Sequence, residues 1–115
     1  MKYMLMFVQE EDGWEETASA EERQATFGKI GEWWAQLSAA GKMLEGHQLQ
    51  PASTATTVET RSGVVTDGPF LEAKESVGGY GIVEAADLDA AIAIAKTWPA
   101  TNKVEVRPVI EQAGM

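Results

Sequence analysis

The chain has 115 residues, 44% of them hydrophobic, which is the size of one domain that can bury a core without cross-links. Eighteen acidic residues against nine basic ones give a formal net charge of −9, and so acidic a surface repels nucleic-acid phosphates, so no nucleic-acid partner is expected. Because the sequence has no cysteine, disulfides, thiol nucleophiles and cysteine zinc sites are excluded.

We expect no targeting segment at the start of the chain. Only the apolar run 3–8 separates Lys2 from Gln9, whereas a membrane-spanning helix needs about 20 apolar residues. The sequence therefore predicts a soluble, cytoplasmic protein without a membrane partner. No metal or other cofactor is predicted, because one histidine cannot make a standard zinc site and the glycines match no phosphate or dinucleotide loop.

The first third of the chain predicts a strand and a long helix. Tyr3 to Val8 is continuously apolar and too short for a lone helix, which is typical of a strand buried on both faces. Ser19 and Glu22 have the spacing of a capping box, and apolar residues then recur at helical spacing. We predict a helix from about Ala20 to Ala40, ended by Gly41.

The middle of the chain predicts four strands. Met43 to Leu49 forms the first, and the β-branched stretch Thr54 to Thr60 forms the second. A short turn ending in Gly63 leads into a strand that ends at Asp67, which makes a hairpin. An interior strand follows at about Val77 to Glu84.

The last part of the chain predicts a helix and a final strand. Asp87 is a natural N-cap for the helix, which closes near Trp98, and Val104 to Val109 supplies the strand. We expect Trp33, Trp34 and Trp98 to lie in the core or in an interface. The order β, α, β, the two strands of a hairpin, β, α, β is the split βαβ pattern of a ferredoxin-like α+β domain with an added β-hairpin, one domain over residues 1–115.

This fold predicts a homodimer, because both helices of a ferredoxin-like domain cover the same face of the sheet. The first strand is apolar on both faces, with Tyr3, Leu5 and Phe7 alternating with Met4, Met6 and Val8. One of these sets is left without a helix, and a second copy packed sheet to sheet would cover it. The alternative is that side chains of the added hairpin fold over that face.

The most concentrated chemistry lies at residues 67–70, which read Asp, Gly, Pro and Phe. These residue types are good turn formers, so a purely structural interpretation stands beside any functional one. The functional hypothesis is that Asp67, at the end of a strand and close to Phe70, is partly desolvated and serves as a general acid or base.

His47 is the only imidazole, and Glu45 precedes it by two residues on the same face of a predicted strand. A lone histidine is usually structural or exposed. The alternative is that His47 faces the cavity that contains Asp67 and shares proton transfer with it.

Residues that follow the Asp67 turn are candidates for binding a substrate. They are Phe70, Lys74, Glu75 and Tyr80, and the glycines around Tyr80 allow a ligand or another backbone to approach closely. The alternative for Lys74 and Glu75 is a solvated, charged face.

A family resemblance rests on residues spread along nearly the whole chain. They are Met1 to Phe7, Ala55 to Val58, Val65 to Phe70, Glu72 to Glu75, Gly78 to Tyr80, Asp87 to Ala91 and Val104 to Pro108. With these residues the chain resembles the YCII-related family, in the branch recognised by the DGPF motif. The resemblance implies a ferredoxin-like subunit of a dimeric α/β barrel.

The same resemblance implies two functions. YCII-type proteins are small enzymes that use a His and Asp pair in a cleft, and Asp67 matches the motif's acid, whereas the family's histidine belongs near the first strand and helix, where this chain has none. DGPF-type proteins are also similar to accessory proteins encoded beside extracytoplasmic-function sigma factors.

Two functional hypotheses follow from the sequence. The first is a homodimer that binds a small aromatic or enol-like metabolite near Asp67 and performs lyase- or isomerase-type acid/base chemistry on it. The second is a non-catalytic accessory or regulatory protein that binds a sigma factor.

Overall fold

A computed structural model describes residues 1–10, 18–68, 75–100 and 103–111 of the chain. Six strands and two α-helices lie within these ranges. In chain order they are β1 (Lys2–Glu10), α1 (Ala20–Ala39), β2 (Met43–Gln48), β3 (Thr56–Glu59), β4 (Val64–Asp67), β5 (Glu75–Glu84), α2 (Leu88–Lys96) and β6 (Lys103–Pro108). The order of elements is the one predicted.

The strands form one main sheet and one separate hairpin. The main sheet has the order β2, β5, β1, β6, and every neighbouring pair is antiparallel. The hairpin pairs β3 with β4. This topology is a ferredoxin-like α+β fold with an added hairpin, which confirms the predicted fold class.

Short-range signals set the helix ends. Ser19 Oγ accepts a hydrogen bond from the Glu22 amide at 3.1 Å, which starts α1. Asp87 Oδ1 accepts one from the Ala90 amide at 2.9 Å and starts α2 in the same way. Gly41 has a φ of 73° and follows the last turn of α1, a backbone conformation that glycine adopts without strain. All three positions were predicted from the sequence.

Some strand boundaries differ from the prediction for local reasons. The predicted strand from Thr54 begins two residues later, because Ala52–Thr54 forms a single 3-10 turn in which Thr54 Oγ1 donates to the Pro51 carbonyl at 2.7 Å. Val109 lies just beyond β6, although its amide donates to the Lys2 carbonyl at 2.9 Å.

The core lies between the main sheet and the two helices. Tyr3, Leu5 and Phe7 of β1 are almost fully buried and belong to one cluster with Trp33 of α1 and Ile94 of α2. This side of β1 therefore faces the helices, and Trp33 is a core residue, as predicted.

The other face of the sheet is apolar along β1 but has no described helix over it. Met4, Met6 and Val8 are half-buried there and lie opposite Ile82, Tyr80 and Val77 of β5. The hairpin valines do not cover this face, because Val58, Val64 and Val65 are 55%, 55% and 62% exposed. Neither described helix combines the length and the hydropathy needed to cross a membrane.

Candidate functional site

A cavity of about 490 Å³ opens between the middle of α1 and the helix-facing side of the sheet. Along α1 only Trp33 is buried, and Phe27 is 42% exposed. Its apolar walls are Phe7, Phe27, Ile30, Trp34, Trp98 and Pro99. This volume lies within the usual range of small-molecule sites.

Glycines on β2 and β5 shape the floor of the cavity. A Cβ placed on Gly46 would overlap the Trp34 ring and the Tyr80 carbonyl oxygen, so the indole lies directly on the strand. A Cβ on Gly81 would lie 3.3 Å from the same ring, and one on Gly79 would lie 3.6 Å from the Phe7 ring. The glycines therefore let the aromatic side chains pack against the backbone.

An aromatic cluster forms one wall of the cavity. The Phe7 and Trp98 rings are stacked, with centroids 4.0 Å apart and an angle of 16° between their planes. Trp33 meets both of them edge-on, at 5.9 Å and 5.1 Å. Trp33 is held in turn by a hydrogen bond of 2.6 Å from its Nε1 to Thr97 Oγ1. Offset and edge-on packing of this kind is the preferred geometry of aromatic side chains.

Trp98 separates this cavity from a second one. The second cavity, of about 390 Å³, lies between α2 and β6 beside Ile92 and Val104. The Trp98 Nε1 atom is buried and has no acceptor among the described residues. Such a donor costs about 1 to 3 kcal/mol of unfolding free energy relative to a paired one.

Among the described residues that line the cavity there is no lysine, arginine, aspartate or glutamate. The polar residues on the helix-facing wall are Gln9, Thr26 and Gln48. Within the described part of the chain, no group of three or more histidine, aspartate or glutamate side chains could hold a metal ion. Neutral donors and acceptors therefore line a mostly apolar space.

Asp67 lies outside this cavity. It is exposed, at the end of β4, and it lines neither described cavity. The residue after it is part of a turn: Gly68 has a φ of 93°, its amide donates to the Ala55 carbonyl and its carbonyl accepts from Thr57 Oγ1, both at 2.7 Å. The acid or base role of Asp67 stays a prediction, and the desolvation expected for it is not seen in the single chain.

His47 borders the cavity on β2, but its ring lies beside Tyr80, on the face of the sheet that points away from the helices. It sits on β2 opposite Tyr80 of β5, with ring centroids 5.9 Å apart, and Glu45 shares this face of the sheet, as expected from the alternation. In the described part of the chain no contact joins His47 to Asp67. The predicted pairing of these two residues therefore stays a prediction.

The remaining predicted substrate-binding residues are only partly within the structure. Phe70 and Lys74 lie outside the described residues, and so does the side chain of Glu75. Tyr80 is half-buried on the face of the sheet that points away from the helices.

Sequence reasoning missed the polar residues of the cavity, Gln9, Thr26 and Gln48. Nothing in their spacing distinguishes them from ordinary surface residues. One signal did point here: Gly78 and Gly79, singled out as a place for close approach, both line the cavity.

Comparisons with known proteins give one family match and one curated relative. The model of the YCII-related domain matches residues 1–113. A curated uncharacterised protein of Rhizobium meliloti (strain 1021) is 37% identical over 76 residues, which is 61% of this chain and 61% of the relative. The match thus spans about three fifths of that relative's length.

Proposed function

The chain belongs to the YCII-related domain family, and on that premise we propose that it is a small-molecule-binding homodimer. The ligand is a neutral, largely apolar metabolite held in the cavity between α1 and the sheet. The observation that carries the proposal is the cavity itself, about 490 Å³ in volume, with aromatic walls and a few neutral polar groups.

Charge supports a neutral ligand. A carboxylate or phosphate buried in this cavity would meet no described lysine or arginine, and burying an unpaired charge is costly. The net charge of −9 also lowers the local concentration of anions around the protein. An uncharged aromatic ligand carries no charge to bury and is not repelled by the net charge of the protein.

The test of this proposal uses two glycines of α1 as a matched pair. Open space surrounds both Gly31, which lines the cavity, and Gly28, which does not. We expect Gly31→Leu to fill the cavity and weaken the binding of an uncharged bicyclic aromatic at least about tenfold, the effect of an overfilled site. Gly28→Leu should leave the affinity unchanged. Isothermal titration calorimetry with 1-naphthol measures both, and equal affinities in the two variants would contradict the proposal.

Acid/base chemistry is the finer part of the proposal, with Asp67 as the acid or base and His47 as a second candidate. What supports Asp67 is the resemblance of residues 67–70 to the DGPF motif. What supports His47 is that its strand borders the cavity. The test is deuterium exchange beside the carbonyl of an enolisable ketone, 2-tetralone, followed by NMR. Exchange above the buffer rate that Asp67→Asn abolishes would support the assignment, and exchange at the buffer rate in the unmodified protein would refute it.

A homodimer is supported by the uncovered sheet face. Met4, Met6 and Val8 are half-buried there beside the buried Ile82, and a second copy would cover the apolar surface that they still expose. A homodimer interface of standard size buries about 800 Å² on each copy.

A second candidate function is a regulatory protein with a protein partner. The observation that favours it is the exposure of Val58, Val64 and Val65 on the hairpin, since exposed apolar side chains grouped in this way are typical of a surface that binds another protein. The resemblance to DGPF-type proteins makes an extracytoplasmic-function sigma factor the first partner to test. Co-purification that Val65→Glu abolishes, while 1-naphthol binding persists, would favour this function.

A further inference from the structure

The side chain of Gln9, which lines the cavity, indicates which chemical class of ligand the cavity binds. Resting on the proposed function, we infer that the cavity selects a flat, uncharged aromatic molecule bearing a hydroxyl or carbonyl oxygen, and that the Gln9 carboxamide recognises that oxygen. Gln9 is thus the specificity-determining residue of the site, and Gly78 is the residue that positions it.

The carboxamide of Gln9 lies flat against the backbone of Gly78. A Cβ placed on Gly78 would be 2.6 Å from Gln9 Cδ, 2.7 Å from Oε1 and 2.8 Å from Nε2. Because all three amide atoms are about equally close, the face of the amide covers the Gly78 Cα. Any larger residue at position 78 would displace it.

A bulge creates this arrangement. Phe7 pairs with Gly79 and Val8 pairs with Val77, so Gly78 is the extra residue on β5. An extra residue bends a strand and redirects the side chains beside it. Gln9 follows Phe7 by two residues, so both side chains lie on the helix-facing side of β1, and both line the cavity.

The amide of Gln9 is available to a ligand. No hydrogen bond joins it to another described residue, and the residue is half-buried. A carboxamide offers two N–H donors and one acceptor oxygen, so it pairs equally well with a carbonyl or a hydroxyl group. An uncharged amide gives no such advantage to a carboxylate, whose charge would stay without a counterion in this cavity.

The aromatic wall beside Gln9 favours a flat ligand. The stacked Phe7 and Trp98 rings and the Trp34 ring present planar surfaces to the same space. An aromatic ligand gains from offset or edge-on packing against such rings. The expected ligand therefore has an aromatic ring that packs against this wall and an oxygen atom that hydrogen-bonds to the Gln9 amide.

The test compares two ligands of nearly the same shape, 1-naphthol and 1-methylnaphthalene, which differ by a hydroxyl group in place of a methyl group. Calorimetry on the unmodified protein should show about fivefold tighter binding of 1-naphthol, the advantage of one net hydrogen bond. Gln9→Leu keeps the volume of the side chain but removes the amide, so it should abolish this preference and leave 1-methylnaphthalene binding unchanged. Gly78→Ala should reduce the preference by displacing the amide.

The outcomes separate this inference from the proposed function. If both compounds bind equally to the unmodified protein, or if Gln9→Leu keeps the preference, the Gln9 assignment is wrong and the cavity remains a ligand site. If neither compound binds, the proposed function fails and the Gln9 assignment fails with it. Should Gly78→Ala not fold, as seen by circular dichroism, Gln9→Leu alone decides.

Discussion

Trp33 of α1 donates a hydrogen bond from Nε1 to Thr97 Oγ1, the residue that caps α2, over a distance of 2.6 Å. Thr97 Oγ1 donates onward to the Ile94 carbonyl, also at 2.6 Å. The two helices are thereby joined above the aromatic wall of the cavity. Trp98, the next residue along, has its indole N–H buried without an acceptor among the described residues.

This contrast predicts different effects for two otherwise similar substitutions. Trp33→Phe removes a satisfied hydrogen bond, whereas Trp98→Phe removes an unsatisfied donor. We expect Trp33→Phe to lower the free energy of unfolding by about 1 to 2 kcal/mol more than Trp98→Phe. Urea denaturation of both variants, with Thr97→Val to complete a double-mutant cycle, measures the difference. An equal or larger loss in Trp98→Phe would show that the hydrogen bond to Thr97 does not stabilise the fold.

Gly46 should tolerate no side chain. The Cβ of Gly46→Ala would overlap a backbone carbonyl oxygen as well as the Trp34 ring, and the backbone has little room to move. We expect a loss of about 2 to 3 kcal/mol in the free energy of unfolding. Gly28→Ala is the control, because it has open space around it and should stabilise α1 by about 0.5 to 1 kcal/mol. A stable Gly46→Ala protein would mean that Trp34 does not pack on β2 as described.

The open face of the sheet should control the oligomeric state. Met6→Glu places a charge in the middle of this face, and we expect it to convert a dimer of twice 12.4 kDa into a monomer. Ala35→Glu, on an exposed position of α1, is the matched control and should leave the dimer intact. Size-exclusion chromatography with light scattering reads both masses. If the unmodified protein is a monomer at micromolar concentration, the proposed homodimer is wrong.

Asp67 should not contribute to affinity for the cavity ligand. It is exposed and does not line the cavity, so Asp67→Asn is expected to change the dissociation constant of 1-naphthol by no more than about twofold, as for other surface substitutions. The measurement is a calorimetric titration at one pH. A tenfold loss would show that Asp67 contacts the ligand, which its position outside the cavity does not predict.

The fold was predictable because its local signals are strong and agree with one another. Ser19 and Asp87 are N-caps, Gly41 ends α1, and the alternation along Tyr3 to Val8 has one fully buried and one half-buried side, as the structure shows. Where the prediction was inaccurate, at Thr54, a side chain to backbone hydrogen bond made a short turn instead of a strand. Strand propensity alone does not predict such a hydrogen bond.

The candidate site was less predictable, for a physical reason. Phe27, Ile30 and Trp34 recur at helical spacing, and the same pattern describes a helix packed tightly on the sheet or one that stands away from it. The distance between helix and sheet depends on the whole fold. Turn chemistry at Asp67 has the same ambiguity, because residues that form a good turn are also residues that catalyse. Among the residues singled out for close approach of a ligand, Gly78 and Gly79 are the ones that line the cavity.

The central claim is that a neutral small molecule occupies the cavity between α1 and the sheet. The most direct measurement is the change in amide and indole NMR shifts when 1-naphthol is added to the isotope-labelled protein. We predict that the largest changes fall on the Gly46, Gly78 and Gly79 amides and on the indole signals of Trp34 and Trp98. Changes confined to the open face, around Met6 and Ile82, or to the hairpin, around Val58 and Val65, would contradict the account.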